Sequence, residues 1–198
     1  MKLNIKRTIA ALAVTVILAT GPSFAGSGAP AAPAIASPDI VSPNRDHLSD
    51  FVSGQASRLL ADIQHEAAGL VSNAQILATL NPVITWHSHA TYLIEVKRHI
   101  NTIGVRLDEL QRMRQVMPAW QQQAAAETYA HALQVAASTE AAITHLRENQ
   151  ERVFAPAYQG HLRSIAGSSE NLKQTVDKFL QYEKSQQQFQ ELQRELEL

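Results

Sequence analysis

The sequence predicts an all-α fold, an antiparallel four-helix bundle of long helices, and three observations predict it. From residue 43 onward the only prolines are Pro43, Pro82, Pro118 and Pro156, spaced 39, 36 and 38 residues apart. Each precedes a proline-free run in which apolar residues return every three or four positions, the signature of a helix with one buried face. Asn-Gly and Asp-Gly hairpin signals are absent and β-branched clusters are few, so no segment reads as a strand. Runs of about 36 residues are roughly 50 Å long as helices, and short junctions favour antiparallel neighbours. The competing arrangement has a proline kinking one continuous helix, since no glycine stands near Pro82 or Pro118.

The first 25 residues stand apart. Lys2, Lys6 and Arg7 precede an apolar run from Ile9 to Thr20, and Ser23-Phe24-Ala25 offers small residues at −3 and −1 of a cleavage site. Residues 1–25 therefore read as a signal peptide, too short in its apolar part for the ~20 residues of a spanning helix. An uncleaved anchor is the other reading of the same residues. Cleavage would leave 14 of the 17 basic residues against all 18 acidic ones. Such a mildly acidic chain is a poor partner for nucleic acid or an anionic membrane. Cysteine is absent, which excludes disulfides, thiolate nucleophiles and covalent haem attachment. Residues 26–43, rich in Pro and Ala, read as a flexible linker.

Residues 44–198 then form the bundle domain, with helices expected at about 44–80, 82–116, 118–153 and 156–198. In the first run Leu48, Val52, Leu59, Ile63, Leu70, Ala74 and Leu77 share a face. The second opens on Asn81-Pro82, a capping side chain followed by a fixed φ. Its stripe is Trp86, Leu93, Ile100 and Leu107, with Ala90, Val96, Ile103 and Leu110 between them. The third run places Ala125, Tyr129, Ala132, Ala136, Ile143 and Leu146 inward; the fourth, Leu162, Ile165, Leu172, Val176 and Phe179. Pro118-Ala119-Trp120-Gln121 echoes Pro156-Ala157-Tyr158-Gln159, so the last two helices begin alike. No Asp, Glu, Lys or Arg occurs from Ala67 to Ile94, a stretch too polar for hydrocarbon and better read as a buried junction or a docking end.

The chain's last residues break the pattern. Phe189, Leu192 and Leu196 lie nearly opposite Leu172, Val176 and Phe179 on a helical wheel. These three, together with Trp86 at the other end, are the candidate interaction residues, and a homo-oligomer or a protein partner is the expected use.

Histidines are the only hint of site chemistry. On the wheel His65, His87 and His145 fall outside the apolar arcs, while His99 and His131 sit at or beyond the edge. His89 lies in line with Trp86 and Leu93, and His161 flanks the Leu162/Ile165 face at the same end. These two are the metal-ligand candidates, with Glu66 the inward-leaning acid about ten residues further down the first helix. Two ligands do not complete a tetrahedral zinc site. Glu95/His99 and Glu127/His131 are spaced i,i+4, not the i,i+3 of di-iron bundles. Haem lacks a methionine on the first helix, and Met113 and Met117 lie at the wrong end for His161. No cofactor is therefore expected. Gly-x-Ser-x-Gly, phosphate loops and His-Glu-x-x-His are missing, so no catalytic residue is assigned and no enzyme is expected. The sequence points to an exported, periplasmic or extracellular bundle acting through protein–protein contact. A metal- or small-ligand-binding bundle with its site near His89 and His161 is the alternative.

Overall fold

A computed structural model describes residues 43–80, 85–150 and 152–196, with side chains from residue 50 onward. The described residues form four α-helices and no strand: α1 (Pro43–Thr79), α2 (Trp86–Met113), α3 (Ala119–Glu148) and α4 (Pro156–Leu196). The expected leader and tether, and the Asn81-Pro82 start, lie outside the described residues.

Where the helix-starting prolines are described, they behave as expected. Pro118 is the N-cap of α3, with φ −55° and ψ 150°. Its carbonyl accepts from the Gln121 and Gln122 amides at 3.0 and 3.1 Å. Met117 before it is also extended, at φ −79° and ψ 148°. Two consecutive extended residues reverse the chain, so Pro118 separates two helices rather than kinking one. Pro156 is the first residue of α4, a position where its missing N–H costs nothing. Three boundaries differ from expectation. Helix α2 begins at Trp86 and not at Pro82, because Thr85 is extended at φ −60° and ψ 149° and forms its N-cap. Helix α2 passes into a 3₁₀ turn at Arg114–Val116. Helix α3 stops at Glu148 rather than near residue 153, because Asn149 leaves helical geometry at φ −140° and ψ 54°.

The helices pack in ring order α1–α2–α3–α4, each against the next, with α4 closing on α1. Side-chain contacts give the directions. Glu66 meets His99 and Asp62 meets Arg106, so α1 and α2 run in opposite senses. Gln64 donates to Asp177, and Ser57 to Glu183, which fixes α1 against α4 in the same way. Trp120 lies on Tyr182 and Ser138 bonds Ser164, which does so for α3 and α4. Across the ring, Gln121 of α3 donates to the Ser53 carbonyl and to Ser57 Oγ of α1 at 2.9 and 3.0 Å.

The core follows the stripes closely. Val52, Leu59, Ile63, Leu70, Ala74 and Leu77 of α1 are buried, as are Leu93, Val96, Ile100, Ile103, Leu107 and Leu110 of α2 and all five expected residues of α4. Helix α3 follows its expected stripe only in part: Ala125, Ala132 and Leu146 are buried as expected. Ala136 faces solvent and Tyr129 and Ile143 are half-buried, while Gln121, Ala124, Thr128, Val135, Thr139 and Ala142 fill the interior. The stripe is turned by about one residue. Alanine carries too little apolar area to set a phase, and Thr139 is tolerated inside because its hydroxyl donates to the Val135 carbonyl at 2.7 Å.

These phases yield a paired expectation. Ile103 is fully buried and Val105, two residues on, is exposed. Urea denaturation should show Ile103→Ala destabilising by about 2–5 kcal/mol and Val105→Ala by no more than ~0.5 kcal/mol. Equal costs would mean that α2 presents another face.

Candidate functional site

Among the described residues two histidines are buried, both on α2. His99, expected at the edge of the stripe, is buried. The reason is the partner surface. Gly69 of α1 lies opposite, and its missing side chain leaves a notch that the imidazole fills: a Cβ there would sit 2.5 Å from His99 Cε1 and 2.8 Å from Nε2. Nδ1 lies 2.7 Å from Glu66 Oε2, and Nε2 lies 2.9 Å from Arg98 Nη2. Arg98 has only donors, so Nε2 accepts and the proton belongs on Nδ1, where it is donated to Glu66. Arg98 is itself held by Glu95, from Nε to Oε2 at 2.9 Å. Glu95 thus serves Arg98 and not His99, and Glu127 accepts from Gln123 at 2.8 Å rather than from His131.

His89 is the second buried histidine, fully enclosed as the stripe required. Its described partner is not His161 but Tyr158, whose hydroxyl lies 3.1 Å from His89 Nδ1. Tyr158 is also fully buried, and burial raises its phenol well above the ordinary range. It stays a neutral hydroxyl at any physiological pH. His89 Nε2 is buried without a hydrogen-bond partner. Desolvation lowers the His89 pKa below that of a free imidazole. His145, placed outside the apolar arc by the wheel, is half-buried and stacks on the phenol, with ring centroids 5.2 Å apart at 24°. His161 is half-buried on α4, His131 half-buried on α3, and His65 and His87 are exposed. Among the described residues, no group of three or more His, Cys, Asp or Glu side chains could hold a metal ion.

Tyr158 is the residue that wheel reasoning about histidines missed. The signal was the aromatic repeated just after the helix-starting proline. The echo is not a structural equivalence, though: Trp120, its counterpart in α3, is half-buried against Tyr182 at a ring distance of 5.8 Å.

The expected interaction residues fall at opposite ends. Trp86 is half-buried at the start of α2, its ring 3.7 Å from that of His87. Phe189, Leu192 and Leu196 are 59%, 57% and 87% exposed. The α3–α4 register explains this. Trp120, the second residue of α3, is already level with Tyr182, so α4 continues past Glu183 with no α3 alongside. Among the described residues, no helix is long and apolar enough to cross a membrane.

Compared with protein-family models, curated proteins and solved structures, the chain shows no match. Among the described residues the geometry defines a class and no more: an all-helical bundle with two buried histidines and an exposed apolar stripe near the end of α4.

The notch at Gly69 gives a test with opposite signs. Glycine to alanine inside a helix ordinarily stabilises by about 0.5–1 kcal/mol. Gly104→Ala and Gly167→Ala, with nothing within 4 Å of the added carbon, should do so in urea titrations. Gly69→Ala should destabilise by about 1–3 kcal/mol, because the imidazole must leave Glu66 to make room. Stabilisation by all three substitutions would mean that His99 does not occupy the notch.

Proposed function

We propose that this chain is an exported, non-enzymatic helical-bundle protein that works by protein–protein contact, joining a second copy of itself through the end of α4. The observation that carries the reading is the exposed stripe of Phe189, Leu192 and Leu196 beyond the reach of α3. Export is supported by the basic-then-apolar leader, the Ser23-Phe24-Ala25 site and the Pro/Ala tether.

The stripe has the form of a helix-pairing seam. Tyr182, Phe189 and Leu196 are seven residues apart, and Leu192 falls between the last two at the complementary heptad position. Ser185 holds the matching position one heptad earlier, so the seam is apolar only toward its end. Its flanks are largely Gln186, Gln188 and Gln193, which carry no charge to repel a second copy. An identical stripe satisfies a two-fold interface without further complementarity, since each residue meets its own counterpart or a near neighbour. The seam lies on the side of α4 that Tyr182 turns toward Trp120, so a partner helix would continue the line that α3 leaves off. Roughly two heptads is short for a coiled coil, so the association is weak and concentration-dependent.

Two measurements test this. Sedimentation across a concentration series should show residues 26–198 passing from monomer to dimer, while the chain ending at Lys184, and Phe189→Glu in the longer chain, stay monomeric. Identical monomers throughout would remove the self-association, and a stripe that captures only another protein would reassign the partner. N-terminal sequencing of the expressed full chain should begin at Gly26; a chain retaining Met1 in the membrane fraction would turn the leader into an anchor.

A further inference from the structure

We propose that His89, Tyr158 and His145 form an acid-operated latch, holding the first turns of α2 and α4 and the last turn of α3 together when the imidazoles are neutral and releasing them on protonation. The proposal is independent of self-association through the opposite end.

Three rings meet here from three helices. The Tyr158 ring is tilted against His89, at 5.5 Å and 59°, and stacked on His145, at 5.2 Å and 24°. The His89–Tyr158 bond, at 3.1 Å, is the polar link between diagonal helices α2 and α4. It is a bond between neutral groups, and His89 Nε2 has no partner on the far side of the ring. A proton on His89 would create a fully buried cation with one N–H aimed at no acceptor. That arrangement is among the most costly in a protein interior.

Among the described residues, no opposing charge is placed to relieve it. On α1, the segment Ala67–Thr79 contains no titratable residue. On α2 itself the nearest groups are exposed His87, half-buried Tyr92 and half-buried Glu95, the last six residues on and committed to Arg98. On α3 they are His145, with Arg147 and Glu148 both exposed; on α4, half-buried His161 and exposed Arg163. The α3–α4 turn brings Arg152, whose carbonyl lies 3.3 Å from His145 Nε2; Glu151 lies outside the described residues. Among the described residues, the histidine within ion-pair distance of a carboxylate is His99, not His89 or His145. A proton on His145 as well would put two cations against one phenol ring.

His99 sits in a different setting: its Nδ1 donates to the Glu66 carboxylate and its Nε2 accepts from Arg98, so charged partners hold it. The latch therefore concerns one level of the bundle, and the α1–α2 clasp, ten residues further along α2, is built differently. The direction of the His89 pKa agrees. A histidine whose folded pKa lies below its unfolded one contributes stability above the unfolded value, near 6.5. That stability drains away as pH falls from there to the folded value. Each unit between the two multiplies the open-to-closed ratio about tenfold.

The two tryptophans make the release measurable, because Trp86 adjoins the latch and Trp120 lies at the other end of the bundle. Single-tryptophan chains are made with Trp120→Phe or Trp86→Phe, both carrying His87→Gln so that the imidazole stacked on Trp86 cannot report its own protonation. Between pH 8 and about 5, acrylamide quenching of Trp86 should rise severalfold while that of Trp120 stays flat. Amide exchange should accelerate about tenfold or more in Ser88–Leu93 and Tyr158–Leu162 without matching acceleration around His99. No change at Trp86, or simultaneous change at both tryptophans, overturns the proposal. His89→Leu with Tyr158→Phe removes both polar partners together and should abolish the transition; its persistence in that chain is equally fatal. Should that double variant not fold, imidazole titration of the native chain by NMR decides. Proton uptake at His89 must coincide with the faster exchange, and uptake without it sinks the latch.

Discussion

Polar contacts at fixed levels turn four apolar stripes into one arrangement. Burial of leucine and isoleucine drives the helices together but is nearly indifferent to sliding by a heptad. The polar contacts are not. Gln121 reaches Ser53 and Ser57 across the ring, His99 fills the notch at Gly69 to meet Glu66, Gln64 meets Asp177, and Tyr158 meets His89. Each is satisfied at one register only. Asp177 illustrates the balance: burial works to raise its pKa, yet hydrogen bonds from Lys173 and Gln64 and the Lys173 charge outweigh it and leave the carboxyl below its ordinary range. Such groups contribute little net stability, but a misaligned pairing would leave them buried and unpaired.

The weight of the core is uneven as a consequence. Helices α1, α2 and α4 bring large side chains, whereas α3 buries Ala124, Ala125, Ala132 and Ala142 with Thr128 and Thr139. Small residues let α3 and α4 approach closely, and hydroxyls such as Ser138 and Ser164 bond directly at 2.8 Å. Tyr158 then fills volume near the end of α3 that alanines cannot. An aromatic with a polar tip needs a partner there, and the imidazole of His89 supplies it.

This explains what the sequence could and could not disclose. Large apolar residues fix a helical phase, so the stripes of α1, α2 and α4 were legible except at the start of α2, where Trp86 and Ala90 are half-buried, and the helix starts at Pro118 and Pro156 were legible too. Alanine does not fix a phase, and α3 was misread by about one position. His89 was legible as buried because its own helix places it between Trp86 and Leu93. His99 was not, since its burial depends on an absence, the missing side chain of Gly69 on another helix. Wheel angles describe one helix; notches and partners belong to pairs. The same limit hid Tyr158, whose importance lies in two imidazoles contributed by α2 and α3.

The bundle's two ends are chemically unlike, and this bears on how contact at one would relate to change at the other. At the His89 end, α1 and α2 carry no Asp, Glu, Lys or Arg from Ala67 to Ile94, so burial and one neutral hydrogen bond hold the helices there. At the α4 end, Gln121, Ser57 and Glu183 tie α1, α3 and α4 together just before the exposed stripe begins. Opening at the first end need not slide α4 against α1, because Gln64–Asp177 and Ser57–Glu183 lie between the latch and the seam. A bundle clasped in this way can loosen one end while presenting an unchanged helix at the other. Coupling between the two would require those intermediate contacts to break as well, so acid should leave self-association intact until the whole bundle yields.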